Sequence, residues 1–199
     1  MKFLERLKRV QPEFKPDAQT STWLKTYRLT RTQQLRIAKW LLYIASIIVA
    51  LVIQDVIMSQ VSIFGATTDL AVSVILLITV LEGTGVGSLF VLIASTLYYF
   101  SGTAPGAYCI GLMTFFGVGS VLLRQKYLHR SRGSVVLCAA GAQMLYELGL
   151  FAVGIFSELT LWSRVRVFLI TGLISSLVIF LLYPLICKIG LIGGNTWKE

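Results

Sequence analysis

Six long apolar runs, separated by short polar or glycine-rich segments, constrain the fold of this chain more than any other feature. They cover residues 40–58, 70–81, 86–100, 107–123, 135–156 and 167–186. Because a helix needs about 20 apolar residues to cross roughly 30 Å of hydrocarbon, such runs predict membrane spans. The composition agrees, since 56% of the 199 residues are hydrophobic and only 14% are charged. The sequence predicts an all-α polytopic membrane protein with six transmembrane helices in a compact bundle, and excludes a soluble domain.

Glycine and proline mark two of the boundaries between these runs. The apolar stretch over residues 70–100 is too long for one span, and Glu82 with the glycines of residues 83–87 predicts a tight turn inside it. A second turn is predicted at residues 101–106, where Ser-Gly-Thr-Ala-Pro-Gly breaks the helical pattern. The chain then divides into a basic arm over residues 1–39, a transmembrane domain over 40–190 and a short tail over 191–199.

Positive charge is distributed unevenly along the chain. Of the 18 Lys and Arg residues, ten lie in residues 1–39, four in the loop over 124–132 and two at the C-terminal end. Only Arg164 and Arg166 lie on the opposite side of the predicted membrane. Because cytoplasmic segments carry such an excess, both termini are predicted to be cytoplasmic. The net charge of +9 then reflects topology and contact with the lipid bilayer, and nucleic acid is not an expected partner. Aromatic residues near the predicted interfaces fit an aromatic belt: Trp40, Tyr98, Tyr99, Trp162 and Trp197.

The basic arm allows more than one interpretation. Phe3, Leu4, Leu7 and Val10 fall on one face of a possible helix, and Trp23 begins a second cationic stretch. The arm is either a solvated tether, an interfacial helix bound to anionic lipid headgroups, or a docking segment for a cytoplasmic partner. The sequence does not separate these alternatives.

Acidic residues in or near the spans are the candidate functional residues, because a charge inside a membrane is costly. Glu147 lies midway through the fifth run with Gln143 four residues earlier on the same helix face. We expect both to face the bundle interior, in an interhelical hydrogen bond or in a ligand-binding or proton-coupled role. Asp55 is predicted to have a structural or interfacial role. Asp69 and Glu82 are predicted boundary residues of the second run, with Asp69 as its N-terminal cap.

The sequence contains no residue pattern typical of an enzyme. It shows no nucleophile paired with a base and no metal-binding cluster, and its three cysteines lie singly in apolar runs. His129 belongs to the basic loop and is interpreted as solvated, and residues 83–87 lack the lysine of a phosphate-binding loop. We expect no enzymatic activity and no cofactor. Closely spaced glycines predict tight helix packing: Gly83, Gly85, Gly87, Gly117, Gly119, Gly141, Gly149 and Gly154.

Taken in order, the spans and turns resemble the rod shape-determining protein MreD family of bacterial inner-membrane proteins over residues 40–190. Thr68-Asp69-Leu70 opens the second run as in the family, and the glycine turn at residues 83–87 follows. Ser101, Gly102 and Gly106 match its Ser-Gly-x-x-x-Gly turn, and the basic loop over 124–132 comes one span later. Two positions depart from the family pattern: Tyr98 stands where members commonly carry aspartate, and Thr68 where proline is frequent.

The resemblance implies a multi-pass, non-enzymatic scaffold of the cell-elongation and peptidoglycan-synthesis machinery in the bacterial inner membrane. Its partner would be an MreC-like bitopic protein, with indirect links to MreB and the peptidoglycan synthases. Proteins of this family also look similar in fold to the S components of energy-coupling factor transporters, which bind vitamins. The alternative function is therefore such a substrate-binding subunit, with Glu147, Gln143 and Asp55 around a ligand. The first span carries Ala45 and Ala50 five residues apart, and not the four-residue alanine spacing usual in S components.

Overall fold

Six α-helices form most of the protein in a computed structural model that describes residues 31–58, 60, 65–128 and 131–192. The helices are α1 (Arg31–Ile53, continued by a π-helical turn over Gln54–Met58), α2 (Leu70–Glu82), α3 (Thr84–Phe100), α4 (Tyr108–Tyr127), α5 (Arg132–Phe156) and α6 (Val165–Gly190, preceded by a 3-10 turn over Trp162–Arg164). Within these ranges there is no β-strand, and each predicted apolar run coincides with a helix. The all-α prediction is confirmed.

The predicted basic arm and tail lie largely outside the described residues. The end of the arm differs from the prediction, because α1 begins at Arg31 and is continuous with the first apolar run. Arg36 and Lys39 therefore belong to a helix that extends beyond the apolar residues.

Four of the helices are long and apolar enough to cross a membrane. They are Arg31–Met58, Tyr108–Tyr127, Arg132–Phe156 and Trp162–Gly190. The helices Leu70–Glu82 and Thr84–Phe100 are apolar but shorter. At 1.5 Å per residue, the 13 residues of α2 rise only about 20 Å, less than the hydrocarbon thickness of a bilayer. The protein therefore has four candidate membrane-spanning helices and two shorter apolar helices.

The short helix α2 occupies the centre of the bundle. It packs against α1, α3, α4, α5 and α6, and 12 of its 13 residues are buried. A helix that is buried on every side needs apolar residues all round, which explains its almost uninterrupted aliphatic sequence. Lipid-facing helices differ: on α1, for example, Leu41 is 61% exposed. Protein, and not lipid, surrounds α2, so its length is not set by the thickness of the membrane.

Close backbone approach explains several of the glycines. A Cβ atom added at Gly87 would lie 2.4 Å from the carbonyl oxygen of Thr79. The backbones of α2 and α3 therefore approach each other more closely here than a residue with a side chain would allow. Gly83, between the two helices, has a φ of +84°, which glycine adopts without strain. Tight packing against other helices is also found at Gly117 and Gly149, whereas the close neighbour of Gly154 is Thr160, just after the same helix. The packing prediction is wrong for Gly85, Gly119 and Gly141, which have open space around them.

The turn after α3 has the structure that its sequence predicts. The helix ends at Phe100, the Ser101 hydroxyl donates to the Tyr98 carbonyl over 2.7 Å, and Gly102 has a φ of +80°. At Gly106 a Cβ atom would meet the ring of Tyr108 at 2.5 Å. Backbone conformation favours glycine at the first of these positions, and a Cβ atom at the second would require the Tyr108 ring to shift.

Candidate functional site

A polar cluster surrounds Asp69 at the N-terminal end of α2. The carboxylate atom Oδ1 accepts hydrogen bonds from Nε2 of Gln54 over 2.9 Å and from the hydroxyl of Tyr98 over 3.2 Å. These donors come from α1 and α3, so the cluster joins three helices. Tyr98 is 1% exposed, which corrects its assignment to an interfacial aromatic belt.

The end of α2 is capped by Gln54, and not by Asp69 as predicted. Asp69 occupies the N-cap position, but its side chain makes no capping hydrogen bond. The backbone N–H of Ala71 donates instead to Oε1 of Gln54 over 2.9 Å. Gln54 begins the π-helical turn at the end of α1, and this widened turn brings its amide to α2. The backbone N–H of Asp69 donates to the Ser175 hydroxyl of α6 over 2.9 Å.

Glu147 and Gln143 form a second polar pair inside the bundle. They are 3% and 0% exposed, and Nε2 of Gln143 donates to Oε1 of Glu147 over 3.2 Å. Their predicted burial on one face of the fifth helix is confirmed. Helix α6 approaches closely here, because a Cβ atom at Gly172 would lie 3.3 Å from Cγ of Glu147. Asp69 is near enough for its charge to act on Glu147, so the two polar groups form one electrostatic unit.

Two buried polar atoms in this unit lack ordinary hydrogen-bond partners among the described residues. They are Oε1 of Gln143 and the hydroxyl of Tyr146. The thiol of Cys109, a weak hydrogen-bonding group, lies beside the Tyr146 hydroxyl. A buried polar atom without a partner is costly, and such atoms are satisfied by water or by a bound polar group. Within the described ranges no group of three His, Cys, Asp or Glu side chains could hold a metal ion.

The opposite end of α2 carries a buried ion pair. Nζ of Lys39 lies 2.5 Å from Oε1 of Glu82, and the side chains are 5% and 3% exposed. The hydroxyl of Tyr43 donates to the same oxygen over 2.7 Å. Nη1 of Arg124 donates to the carbonyl of Val80 over 2.6 Å, so a cation also covers the carbonyl end of α2. Glu82 ends the helix as predicted, but it is a buried, paired residue and Lys39 is its partner.

The other predicted site residues lie apart from these clusters. Asp55 is exposed on the π-helical turn, so the structure does not bring it together with Glu147 and Gln143. Its neighbour Gln54 enters the bundle instead. Ser101, Gly102 and Gly106 shape the turn after α3 and are not part of a polar cluster with Asp69. The sequence analysis missed Gln54, Tyr43 and Ser175, although the spacing of Lys39 and Tyr43 by four residues is a signal for one shared helix face.

The chain matches no protein-family model, and no curated protein and no solved structure is significantly similar to it. The resemblance to MreD-like proteins therefore depends on the sequence motifs quoted above and stays a prediction.

Proposed function

We propose that this protein is a non-enzymatic membrane scaffold of the bacterial cell-elongation and peptidoglycan-synthesis machinery, and that it binds the single transmembrane helix of an MreC-like protein. MreB and the peptidoglycan synthases would be linked to it through that partner. The resemblance of the Asp69, glycine-turn and Ser101–Gly106 motifs to the MreD family supports this function. The structural observation that carries it is a large apolar groove on the lateral surface.

The groove lies between α1 and α3 and has a volume of about 660 Å³. Both helices pack against α2, and at one end of the groove Trp40 and Phe90 meet with ring centroids 5.7 Å apart. Every residue that lines it is apolar: Trp40, Ile44, Ile47, Ile48, Leu51, Val86, Leu89, Phe90, Ile93, Ala94 and Leu97. Within a bilayer, association of helices depends on such close van der Waals packing. A groove of this shape fits a partner helix from a bitopic protein.

In this proposal all six helices belong to the membrane domain, and both termini are in the cytoplasm of a bacterial cell with the protein in its inner membrane. The helices α2 and α3 form a hairpin whose first arm is shielded by protein, so its shortness does not expose polar backbone to lipid. The distribution of Lys and Arg supports the orientation, because the Glu82 end of α2 then lies on the same side as the basic loop.

A crosslinking experiment tests the groove directly. A photoreactive amino acid replaces Leu97 in the groove or, as a matched control, Phe115 on α4, which is 72% exposed outside it. We expect Leu97 to crosslink to the single-span MreC-like protein in living cells, and Phe115 not to do so. Equal crosslinking at both positions would reject the groove. Affinity purification from mild detergent without any cell-elongation protein would reject the scaffold function itself.

A second candidate function is supported by the buried polar atoms. Oε1 of Gln143 and the Tyr146 hydroxyl are the kind of groups that orient a small ligand in an otherwise apolar site. The protein would then be a substrate-binding subunit similar to an S component. Purification would in that case recover an ATPase pair and a transmembrane coupling subunit, and a vitamin-like molecule bound to the protein. The same purification therefore separates the two functions.

A further inference from the structure

A separate cavity of about 320 Å³ lies at the Glu82 end of the bundle, where five helices meet. The C-terminal ends of α2, α4 and α6, the N-terminal end of α5 and Tyr43 of α1 surround it. Its lining differs from the lateral groove because it contains charged and hydroxyl groups: Tyr43, Glu82, Arg124, Ser131, Arg132 and Tyr183. Neither helix packing nor the proposed scaffold function explains a polar cavity at the Glu82 end of the bundle.

Positive charge dominates this cavity. Arg124, Arg132 and the hydroxyl-bearing side chain of Tyr183 all line it. Glu82 is the single carboxylate among the described lining residues, and it is paired with Lys39, whose Nζ lies 2.5 Å from its Oε1. The described lining therefore carries two arginines, and its one carboxylate already has a cation from outside the lining.

The position of Arg132 is a second feature that favours an anion at this end of the bundle. It is the first residue of α5, where the helix dipole is positive and disfavours a cation. The preceding residue, Ser131, caps the helix by accepting a hydrogen bond from the Ser134 N–H over 3.2 Å. Arg132 has no ion pair among the residues that the structure describes. Arg132 is exposed, so its guanidinium is accessible, and an anion placed beside it would interact favourably with both the arginine and the positive end of the helix dipole.

We propose that this cavity binds a phosphate group through Arg124 and Arg132. Guanidinium groups bind phosphate oxygens with charge-assisted, frequently bidentate hydrogen bonds, and the start of α5 adds backbone N–H groups and a favourable dipole. Basic cavities between helices at a membrane surface are suited to the headgroups of anionic lipids. The phosphate belongs either to such a headgroup or to a free phosphate ion, which enters the same site.

Native mass spectrometry of the purified, full-length protein tests the proposal. The protein in detergent is titrated with phosphatidylglycerol and with phosphatidylcholine of the same acyl chains, each with and without inorganic phosphate. We expect one phosphatidylglycerol to bind at least tenfold more tightly than phosphatidylcholine. Arg132→Gln should reduce this binding about tenfold, the size expected for loss of one charged hydrogen-bonding group. Arg132→Lys keeps the positive charge but loses the paired N–H donors of the guanidinium group, and it should reduce the binding of phosphatidylglycerol by less.

Arg166→Gln is the matched control, because it removes one exposed arginine at the other end of the bundle. It should leave the binding of phosphatidylglycerol unchanged. If inorganic phosphate does not displace the lipid, the ligand is a lipid headgroup; if millimolar phosphate displaces it, the site also accepts the free ion. Equal binding of the two lipids with no effect of phosphate would overturn the proposal, and so would equal losses in the two glutamine variants. The comparison of the two lipids uses the unmodified protein, so it tests the proposal even if a variant does not fold.

Discussion

Nζ of Lys39 and Oε1 of Glu82 lie 2.5 Å apart, in surroundings where neither side chain is more than 5% exposed. The pair joins the first described helix to the end of the central one. Glu82 also accepts the hydrogen bond of Tyr43, one helical turn after Lys39. Because two helices meet through a paired charge and a hydroxyl, this contact fixes how far α1 can move along α2.

Removing only the cation should be more harmful than removing both charges. Lys39→Met leaves a buried carboxylate without its cation, and we expect a loss of about 3–5 kcal/mol in the free energy of unfolding. Lys39→Met combined with Glu82→Gln should recover much of this loss, because neither a lone charge nor a large void remains. Unfolding in mixed detergent micelles measures the free energy of unfolding of the single and the double variant. A double variant less stable than Lys39→Met would contradict this account.

Two adjacent tyrosines should respond differently to loss of the hydroxyl. Tyr98→Phe removes a hydrogen bond to Asp69, and we expect it to lower the free energy of unfolding by about 1–3 kcal/mol. Tyr99→Phe is the control, because Tyr99 is 37% exposed; it should change the same quantity by less than about 0.5 kcal/mol. Equal stabilities of the two variants would show that the Tyr98 hydroxyl is not needed for the Asp69 cluster.

The glycine turn between α2 and α3 offers a steric test with a neighbouring control. A methyl group at Gly87 would collide with the Thr79 carbonyl, so Gly87→Ala should destabilise the protein by about 1–3 kcal/mol. Gly85 has open space around it, and Gly85→Ala should be neutral or stabilising by up to about 1 kcal/mol. Thermal unfolding in detergent distinguishes the two. The packing of α2 on α3 described above would be wrong if both variants behaved alike.

Glu147→Gln tests whether Glu147 acts as a neutral hydrogen-bonding group. The variant keeps the shape and an oxygen that accepts from Gln143, so we expect correctly folded protein in normal yield. Glu147→Ala removes the acceptor and leaves a void beside Gly172, which should cost about 2–4 kcal/mol in the free energy of unfolding. Gel filtration and thermal unfolding provide the readout. Severe loss of folded Glu147→Gln protein would mean that the negative charge itself is required.

Reporter fusions test the proposed orientation. A reporter that is active only outside the cytoplasm should be active when fused after Gly65 or Leu159, and inactive after Leu128, which lies in the basic loop. Several lysines added to residues 59–68 should disturb this pattern, because they would place positive charge on the outer side. A cytoplasmic signal from the Gly65 fusion would reverse the orientation.

The sequence was sufficient to locate the helices because apolar runs and glycine turns are local signals. It also indicated the Glu147–Gln143 pair, since a four-residue spacing places two side chains on one helix face. It could not show that Tyr98 meets Asp69 or that Lys39 meets Glu82. Those contacts join residues 29 and 43 positions apart, and depend on how the helices pack. For the same reason, the sequence placed Lys39 in the basic arm and did not indicate its burial beside Glu82.

The central position of α2 has a consequence for the order in which the protein matures. Most of its covering comes from helices that follow it in the chain, including α5 and α6. During synthesis, the short α2 helix is therefore made before most of its final neighbours. Its Asp69 end gains the Ser175 contact only after α6 has been synthesised. The last helix completes the burial of α2, so a chain that stops before α6 would leave one side of the central helix without its native contacts.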